Sequence, residues 1–478
     1  MRRNRKVKIL STLGPASSSE EMIEKLFIAG ADVFRINMSH ASHDTMRELV
    51  VKIRNVEKKM GRPIGILADL QGPKLRVGKF AEGRVTLKMG QIFTLDNKET
   101  PGDDKRVYLP HPEIFEAVKP GDRLLIDDGK LELIAQECDN HSIECIVKAG
   151  TSISDRKGVS LPDTTLAVGA MTEKDHQDLA AVIKEPIDWV ALSFIQRPED
   201  ILEVRKIVKD KMAIISKIEK PQAVQRIDEI IQLSDAIMVA RGDLGVEMPL
   251  ETLPGIQIKL IQACRRAGKP VVVATQMLES MIQAPVPTRA EVSDVATAVY
   301  EGADAVMLSA ESASGQYPVE AVTTMDRIAI SVESDANYGP LLNSENFMPE
   351  PTSADAISQA AGQIAKTLNL SAIVAYTGSG ATGIRAARVR PNTPIIALSP
   401  ILETARRLAL VWGLHCVVTD DAENLDDMVD RAAAIACREG YSHPGERIII
   451  TAGIPFGTPG STNILRIAFI NADGTKGM

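Results

Sequence analysis

Met212-Ala-Ile-Ile-Ser-Lys-Ile-Glu219, followed by Asp235-Ala-Ile-Met-Val-Ala240 and then Arg241-Gly-Asp-Leu-Gly-Val-Glu247, holds the pattern that decides the fold. Each apolar run is strand-length, and each ends on charged or polar residues. The same design recurs along the chain at Val7–Leu13, Ala31–Met38, Ile64–Leu70, Asp188–Phe194, Pro270–Thr275 and Asp304–Leu308. The residues at or just past these ends are Thr12, Arg35, Asn37, Ser39, Asp69, Ser193, Lys217, Glu219, Asp243, Thr275, Ser309 and Glu311. Eight such runs alternating with amphipathic helices predict a (β/α)8 barrel, whose strand C-terminal ends converge on one face. Residues far apart in sequence are thereby expected to share one pocket.

The rhythm breaks after Gly72-Pro73. From there to about Ala167 come short β-like runs, among them Arg84-Val-Thr-Leu-Lys88, Arg123-Leu-Leu-Ile-Asp127 and Ser142–Val147, separated by turns such as Pro101-Gly102 and Asp128-Gly129. This predicts a small β-barrel inserted on the catalytic rim, where it can serve as a lid. Residues 335–352 are rich in Pro, Gly and polar side chains and read as a linker. A second α/β pattern follows, with strands at Ala372–Tyr376, Pro394–Leu398, His415–Val418 and Arg447–Thr451, as in an open sheet with helices. The expected domains are 1–72 with 168–340, then 73–167, then 353–478.

The 478 residues suit about three domains, and a composition of 44% hydrophobic and 25% charged residues is that of an ordinary globular chain. A net charge of −8 argues against nucleic acid as partner, because a phosphate backbone demands a broad basic face. The five cysteines have no metal-ligand spacing and read as reduced buried thiols of a cytoplasmic protein. No run approaches membrane-spanning length.

Lys217 and Glu219 stand two apart at a strand end, so their side chains leave on one side. With Asp243 from the next strand, two carboxylates suit Mg2+, or Mn2+, which takes hard oxygen ligands and keeps water for substrate. The Lys217 ammonium then lies where negative charge develops. Without Asp243, a buried Lys–Glu ion pair reads equally well. Gly242 lets backbone approach a ligand, and if the Gly242–Leu244 stretch opens a helix its N–H groups form an anion site. Thr275 offers a hydroxyl to the same anion. Period two places Arg35, Asn37 and Ser39 on one face. Arg35 is built to grip phosphate, while Asn37, Ser39 and Asp69 are oxygen donors for a monovalent cation, or a hydrogen-bonded rim. Arg76 and Lys157 lie near the two hinges of the insertion, where lid cations would meet a polyphosphate, and His40 is a rim histidine or a nucleotide contact.

Several long motifs, in order, resemble the pyruvate kinases over nearly the whole chain: Phe34-Arg-Ile-Asn-Met-Ser-His40, Ala68-Asp-Leu-Gln-Gly-Pro-Lys-Leu-Arg76, Lys157-Gly-Val-Ser-Leu-Pro162, Ile215-Ser-Lys-Ile-Glu219, Val239–Glu247, Ala274-Thr-Gln-Met277 and Met307-Leu-Ser-Ala-Glu311. The resemblance implies Mg2+-dependent transfer of phosphate from phosphoenolpyruvate to ADP, giving pyruvate and ATP. It assigns the transferring charge to Lys217, metal binding to Glu219 and Asp243, the substrate phosphate to Arg35, and the carboxylate to Gly242, Asp243 and Thr275. Nucleotide contacts fall on Arg76, Lys157 and the segment Asn37, Met38, Ser39 and His40. Thr275 or Ser309 would relay the proton to the enolate.

Two departures stand out. Lys74 occupies the place of a glutamate found in potassium-dependent members, and Leu70 that of a common threonine beside Asp69. The Lys74 ammonium can supply the charge K+ otherwise provides, so K+ independence is expected. The loop Thr377, Gly378, Ser379, Gly380, Ala381 and Thr382 resembles the family's phosphate-effector loop but has no cation within it. The Ala452–Asn463 segment lacks a basic clamp too, which leaves a sugar monophosphate, AMP or no effector. A homotetramer is expected on resemblance. Two rivals stay open: a Mg2+-dependent pyruvate or oxaloacetate aldolase or lyase, and a metabolite sensor on the same scaffold.

Overall fold

The alternation of apolar runs and helices folds back on itself to close a barrel. The computed structural model describes residues 2–167, 169–343, 348–455 and 462–478. The boundary expected at residue 168 and much of the Ala452–Asn463 segment lie outside them. The chain begins with β1 (Lys8–Leu13), β2 (Val33–Asn37) and β3 (Gly65–Asp69). It leaves through β4 (Arg84–Thr86), β5 (Ile92–Asp96), β6 (Arg106–Tyr108), β7 (Arg123–Ile126), β8 (Leu131–Cys138), β9 (Ser142–Ala149), β10 (Ser152–Ser154) and β11 (Val159–Ser160). It returns as β12 (Trp189–Leu192), β13 (Ala213–Ile218), β14 (Ala236–Ala240), β15 (Val271–Ala274) and β16 (Ala305–Leu308). The closed order is β1-β16-β15-β14-β13-β12-β3-β2, and the barrel pairings are parallel. The expected (β/α)8 architecture is what forms.

Alternation along each strand sorts its side chains. Leu10, Val33, Leu67, Ala213, Ile215 and Met238 fill the barrel interior as one cluster. The intervening Ile9, Phe34, Ile66, Ile214 and Ile237 pack outward against the helices. Two residues beyond the last interior position come Thr12, Arg35, Asp69 and Lys217, which the same period turns into the mouth. The helices are fixed by local signals. Ser19, Ser42 and Thr288 accept backbone N–H bonds as N-caps, and Gly61 and Gly268 end their helices in the left-handed conformation.

The opposite end is sealed by aspartates. Asp32, Asp188, Asp235 and Asp304 precede or open alternate strands, and each accepts the N–H of a neighbouring strand: Ile9, Ile66, Ile214 and Val271, at 3.0, 2.8, 2.8 and 3.1 Å. Each also holds an arginine, namely Arg5, Arg54, Arg205 and Arg390.

In the inserted unit, β11-β7-β8-β9-β5-β6 form a six-stranded sheet beside the pair β10-β4, around a core of its own. Among the described residues no pairing joins its outer strands β11 and β6. The C-terminal unit is a five-stranded sheet. Its parallel strands β17 (Ala372–Tyr376), β18 (Ile395–Ser399), β19 (Leu414–Val418) and β20 (Arg447–Gly453) are followed by the antiparallel β21 (Thr462–Phe469), in the order β19-β18-β17-β20-β21. Strand β21 was not expected from the sequence, because only Thr462 and Ala468 in it are buried and no long apolar run marks it.

Residues 335–352 are not wholly a linker. A helix at Tyr338–Leu342 buries Tyr338 and Leu342, and the Tyr338 hydroxyl accepts from Trp412 Nε1. The C-terminal unit sits under the barrel. Ala409 and Leu410 join the interior cluster, and Arg406 pairs with Glu57. The five cysteines are free, but Cys138 and Cys437 are only partly buried. Among the described residues no helix is long and apolar enough to cross a membrane.

Candidate active site

The mouth of the barrel gathers charges that the sequence holds far apart. Arg35 Nε donates to Asp69 Oδ2 at 2.6 Å across adjacent strands, and Arg35 Nη1 donates to Thr12 Oγ1 at 3.1 Å. Lys217 Nζ donates to Ser193 Oγ at 2.7 Å and stands 2.9 Å from Glu219 Oε1 and 3.5 Å from Asp69 Oδ1. The acids are sealed, with 1% side-chain exposure, whereas the two cations keep 12% and so face the opening. Burial pulls the Lys217 pKa down, but Asp69 and Glu219 outweigh it and hold the ammonium above its ordinary value. Glu219 is pushed up, by burial first, with Asp243 adding like charge and Lys217 opposing. Glu219 Oε2 accepts the N–H of Phe194 at 2.7 Å, whereas Glu219 Oε1 and Asp69 Oδ1 have, among the described residues, only the shared Lys217 ammonium beside them, at 2.9 and 3.5 Å. Buried carboxylate oxygens left short of donors are ready for a cation.

Asp243 lies in the helix Arg241–Glu247, which starts directly after β14. It lines the cleft between barrel and insertion with Lys74, Phe194, Lys220 and Ser160. Glu219 and Asp243 together fit a hard divalent ion. Among the described residues no group of three or more His, Cys, Asp or Glu could hold one, so a metal here would keep positions for water and substrate.

Thr275 adopts a left-handed backbone (φ 71°), as does Gln276 (φ 55°). This turns Thr275 Oγ1 to accept from Gly242 N at 2.7 Å while donating to Ala274 O at 2.6 Å. The Gly242 N–H is thus engaged by Thr275, in a stretch that does open a helix, Arg241–Glu247. A Cβ on Gly242 would lie 3.3 Å from Thr275 Oγ1, so a larger residue would crowd the pair. Arg241 braces this turn, donating to Thr275 O at 2.7 Å and pairing with Asp294. Arg241 and Asp294 were assigned no role from the sequence, since an Arg has a visible role only once its partners are known. Thr12 and Ser193 were legible as strand ends but not as supports of Arg35 and Lys217.

Other expected residues are placed less centrally. Strand β2 ends at Asn37 and the chain turns, with His40 N donating to Asn37 O, so Ser39 does not share the strand face read from period two. Asn37 Oδ1 accepts from Ser39 N at 3.1 Å. Met38 and Leu70 bury their side chains in the outer core, and Leu70 O accepts from Ser193 Oγ at 2.9 Å. Ser309 N donates to Glu311. Lys74 is exposed on the cleft. In the insertion, Lys157 pairs with Asp127 at 2.9 Å and Arg76 Nη1 donates to Arg156 O. Gly72 at the hinge has φ 69°, and a Cβ there would meet Ser193 and Phe194 at 2.9 Å.

In the C-terminal loop, Thr377 N donates to Leu398 O, and Gly380 (φ 93°) precedes the helix Ala381–Arg388. Thr382 Oγ1 is 2.7 Å from Thr462 Oγ1, and Gly378 O accepts from Thr404. Ser379 lines a cavity under the barrel.

Comparison with known proteins bears on this arrangement. Residues 4–322 match the family described as "Pyruvate kinase, barrel domain", and residues 355–468 match "Pyruvate kinase, alpha/beta domain". The chain is 59% identical over 473 residues to a pyruvate kinase of Methylorubrum extorquens, covering 99% of each, and 48% identical to one of Agrobacterium vitis, covering 98% of this chain and 99% of the relative. A crystal structure of a pyruvate kinase from Cryptosporidium parvum superimposes with a TM-score of 0.92 at 33% identity, over 97% of this chain and 96% of the other.

Proposed function

Since the chain belongs to the pyruvate kinase family and is a phosphotransferase, we propose that it moves the phosphoryl group of phosphoenolpyruvate to ADP, with Mg2+ or Mn2+ at Glu219 and Asp243 and without a requirement for K+. The charge count of the pocket carries this reading. Two cations, Arg35 and Lys217, stand among three carboxylates, Asp69, Glu219 and Asp243. The bare pocket is formally anionic and would repel a phosphate; a divalent ion reverses the sign. When bound, that ion supplies neutralisation across the reacting oxygens.

The side chains then divide the work. Arg35, held at the correct angle by Asp69 and Thr12, offers its remaining N–H groups to the substrate phosphate. Lys217 stabilises the charge that grows on the enolate oxygen. Gly242, Asp243 and Thr275 seat the carboxylate, and Thr275 or Ser309 relays the proton that turns the enolate into pyruvate. Arg76 and Lys157 reach the nucleotide from the insertion, beside the Asn37–His40 turn. Two oxygens expected to hold K+ already have protein partners, Asn37 Oδ1 and Asp69 Oδ2, and so does the adjacent Leu70 O. Lys74 on the cleft provides a fixed positive charge instead. The chain is proposed to assemble as a homotetramer.

A coupled assay for pyruvate tests both parts. Pyruvate should appear from phosphoenolpyruvate only when ADP and Mg2+ are present, and its rate should survive replacement of K+ by a large organic cation at constant ionic strength. Release without ADP would favour the aldolase or lyase, and collapse without K+ would remove the Lys74 argument.

A further inference from the structure

Glu219 and Asp243 are held in the barrel mouth by different means. Glu219 directly follows β13, and its Oε2 accepts the N–H of Phe194. Asp243 lies in the helix Arg241–Glu247, and among the described residues no hydrogen bond or ion pair holds its carboxylate. Its place in the mouth is therefore the place of its helix. That helix has seven residues, and isolated helices below about 12 residues are marginal in water. It has to be anchored from outside.

Arg241 and Gly242 anchor its first turn, through Asp294 and Thr275. A buried ion pair anchors its last turn: Lys220 Nζ donates to Glu247 Oε1 at 2.6 Å, with the side chains 9% and 4% exposed. Both partners are neighbours of the acids in the mouth. Lys220 comes directly after Glu219, and its carbonyl accepts from Ala223 N at 3.1 Å where Pro221 opens the next helix, so its backbone is fixed. Glu247 lies four residues after Asp243, on the same helix face and about 6 Å along the axis. Lys220, Asp243 and Glu247 all line the cleft between barrel and insertion. The pair thus ties the strand end that carries one acid to the helix that carries the other.

Given Glu219 and Asp243 as the metal ligands, as proposed above, we infer that Lys220 and Glu247 are positioning residues of that site: their ion pair sets the separation of the two carboxylates to suit a divalent ion. Apolar side chains of similar volume stabilise a buried position as well as an ion pair does, or better. What the pair adds is direction and distance. Two like charges facing one cleft push apart until a cation joins them, and the Lys220–Glu247 bridge resists that movement. Residues that orient a metal ligand without touching the metal govern affinity in this way.

The test is Mn2+ binding to the full chain without substrate, read from the electron paramagnetic resonance of the free ion, which does not depend on turnover. Charge and geometry forecast opposite signs for Lys220→Met. Loss of a nearby cation would by charge alone tighten Mn2+ binding, whereas loss of positioning should weaken it by about 10- to 100-fold. The double variant Lys220→Met with Glu247→Leu keeps the net charge and leaves no unpaired buried acid. It should melt close to the parent yet bind Mn2+ as weakly as Lys220→Met, and it decides the matter where the single variant does not fold. Lys220→Arg, which keeps the pair, should bind Mn2+ nearly as the parent does. Parent-like affinity in the double variant, or tighter binding by Lys220→Met, overturns the positioning role. Asp243→Asn separates that failure from a wrong choice of ligands. If only Asp243→Asn weakens Mn2+, the acids hold the ion and the pair does not position them; if Asp243→Asn binds like the parent, the ligand assignment falls and the positioning role with it.

Discussion

Both ends of the barrel bury charged side chains, and they treat them in opposite ways. At the N-terminal end, Asp32 accepts from Arg3, Arg5, Arg62 and the N–H of Ile9, and Asp304 accepts from Arg390, Val271 N and Trp412 N. Every oxygen of these two acids is matched. At the C-terminal end, Glu219 Oε1 and Asp69 Oδ1 share the single ammonium of Lys217, and Thr275 is held in a conformation that β-branched residues avoid. A buried charge alone therefore does not mark a site. Unspent bonding capacity does, because a saturated ion pair has nothing left to offer a ligand.

The sharpest way to break this contrast is to empty one saturated position. Asp32→Ala removes one of the two carboxylates paired with the buried Arg5 and leaves Asp326 as the other, and should lower unfolding free energy by about 3–5 kcal/mol in urea titrations. The turnover of the folded fraction should hardly change. A large loss of turnover with intact stability would erase the distinction between the two ends.

Lys217→Met attacks the other end. Turnover should fall by about 100- to 1000-fold, as when a donor to developing negative charge is removed, and the coupled pyruvate assay reads it. Unchanged turnover would revive the metabolite-sensor reading.

The third test uses pH. Burial holds the His415 ring down at about 4, while the unfolded chain takes its proton near 6.5. Stability should therefore decline as pH falls from about 6.5 to about 4, by up to about 3 kcal/mol. Thermal melts of His415→Gln over this range should be flatter. A parallel pH profile would place the loss elsewhere.

The smallest effect expected comes from strain. Gln276→Gly relaxes a left-handed residue on the Thr275 turn and should raise stability by about 1 kcal/mol. Turnover should drop modestly as the turn loosens. A destabilised variant would mean that the side chain, rather than the backbone conformation, matters there.

Much of the site was legible in the order of residues alone. Lys217 and Glu219 could be paired because period two is a local property of a strand, and Asp243 because it follows the next run. The reading failed where local geometry changes within two residues. Ser39 lies beyond the end of β2, where the chain has already turned. Arg76 and Lys157 were legible as insertion cations, but their contacts with Arg156 and Asp127 depend on turns that no run of residues announces. The (β/α)8 architecture was legible, whereas β21 was not, since an edge strand half-exposed on one face leaves a weak hydrophobic trace.

Side-chain period, apolar run length and the residue that ends each run are short-range quantities, and the sequence by itself determined them: eight strands, an insertion after the third, and a set of polar ends. Which of those ends touch was decided only by closure of the barrel, when β3 paired with β12 and β16 with β1. That pairing set Asp69 between Arg35 and Lys217. Closure is a long-range event whose free energy comes from the whole interior, so no single segment encodes it.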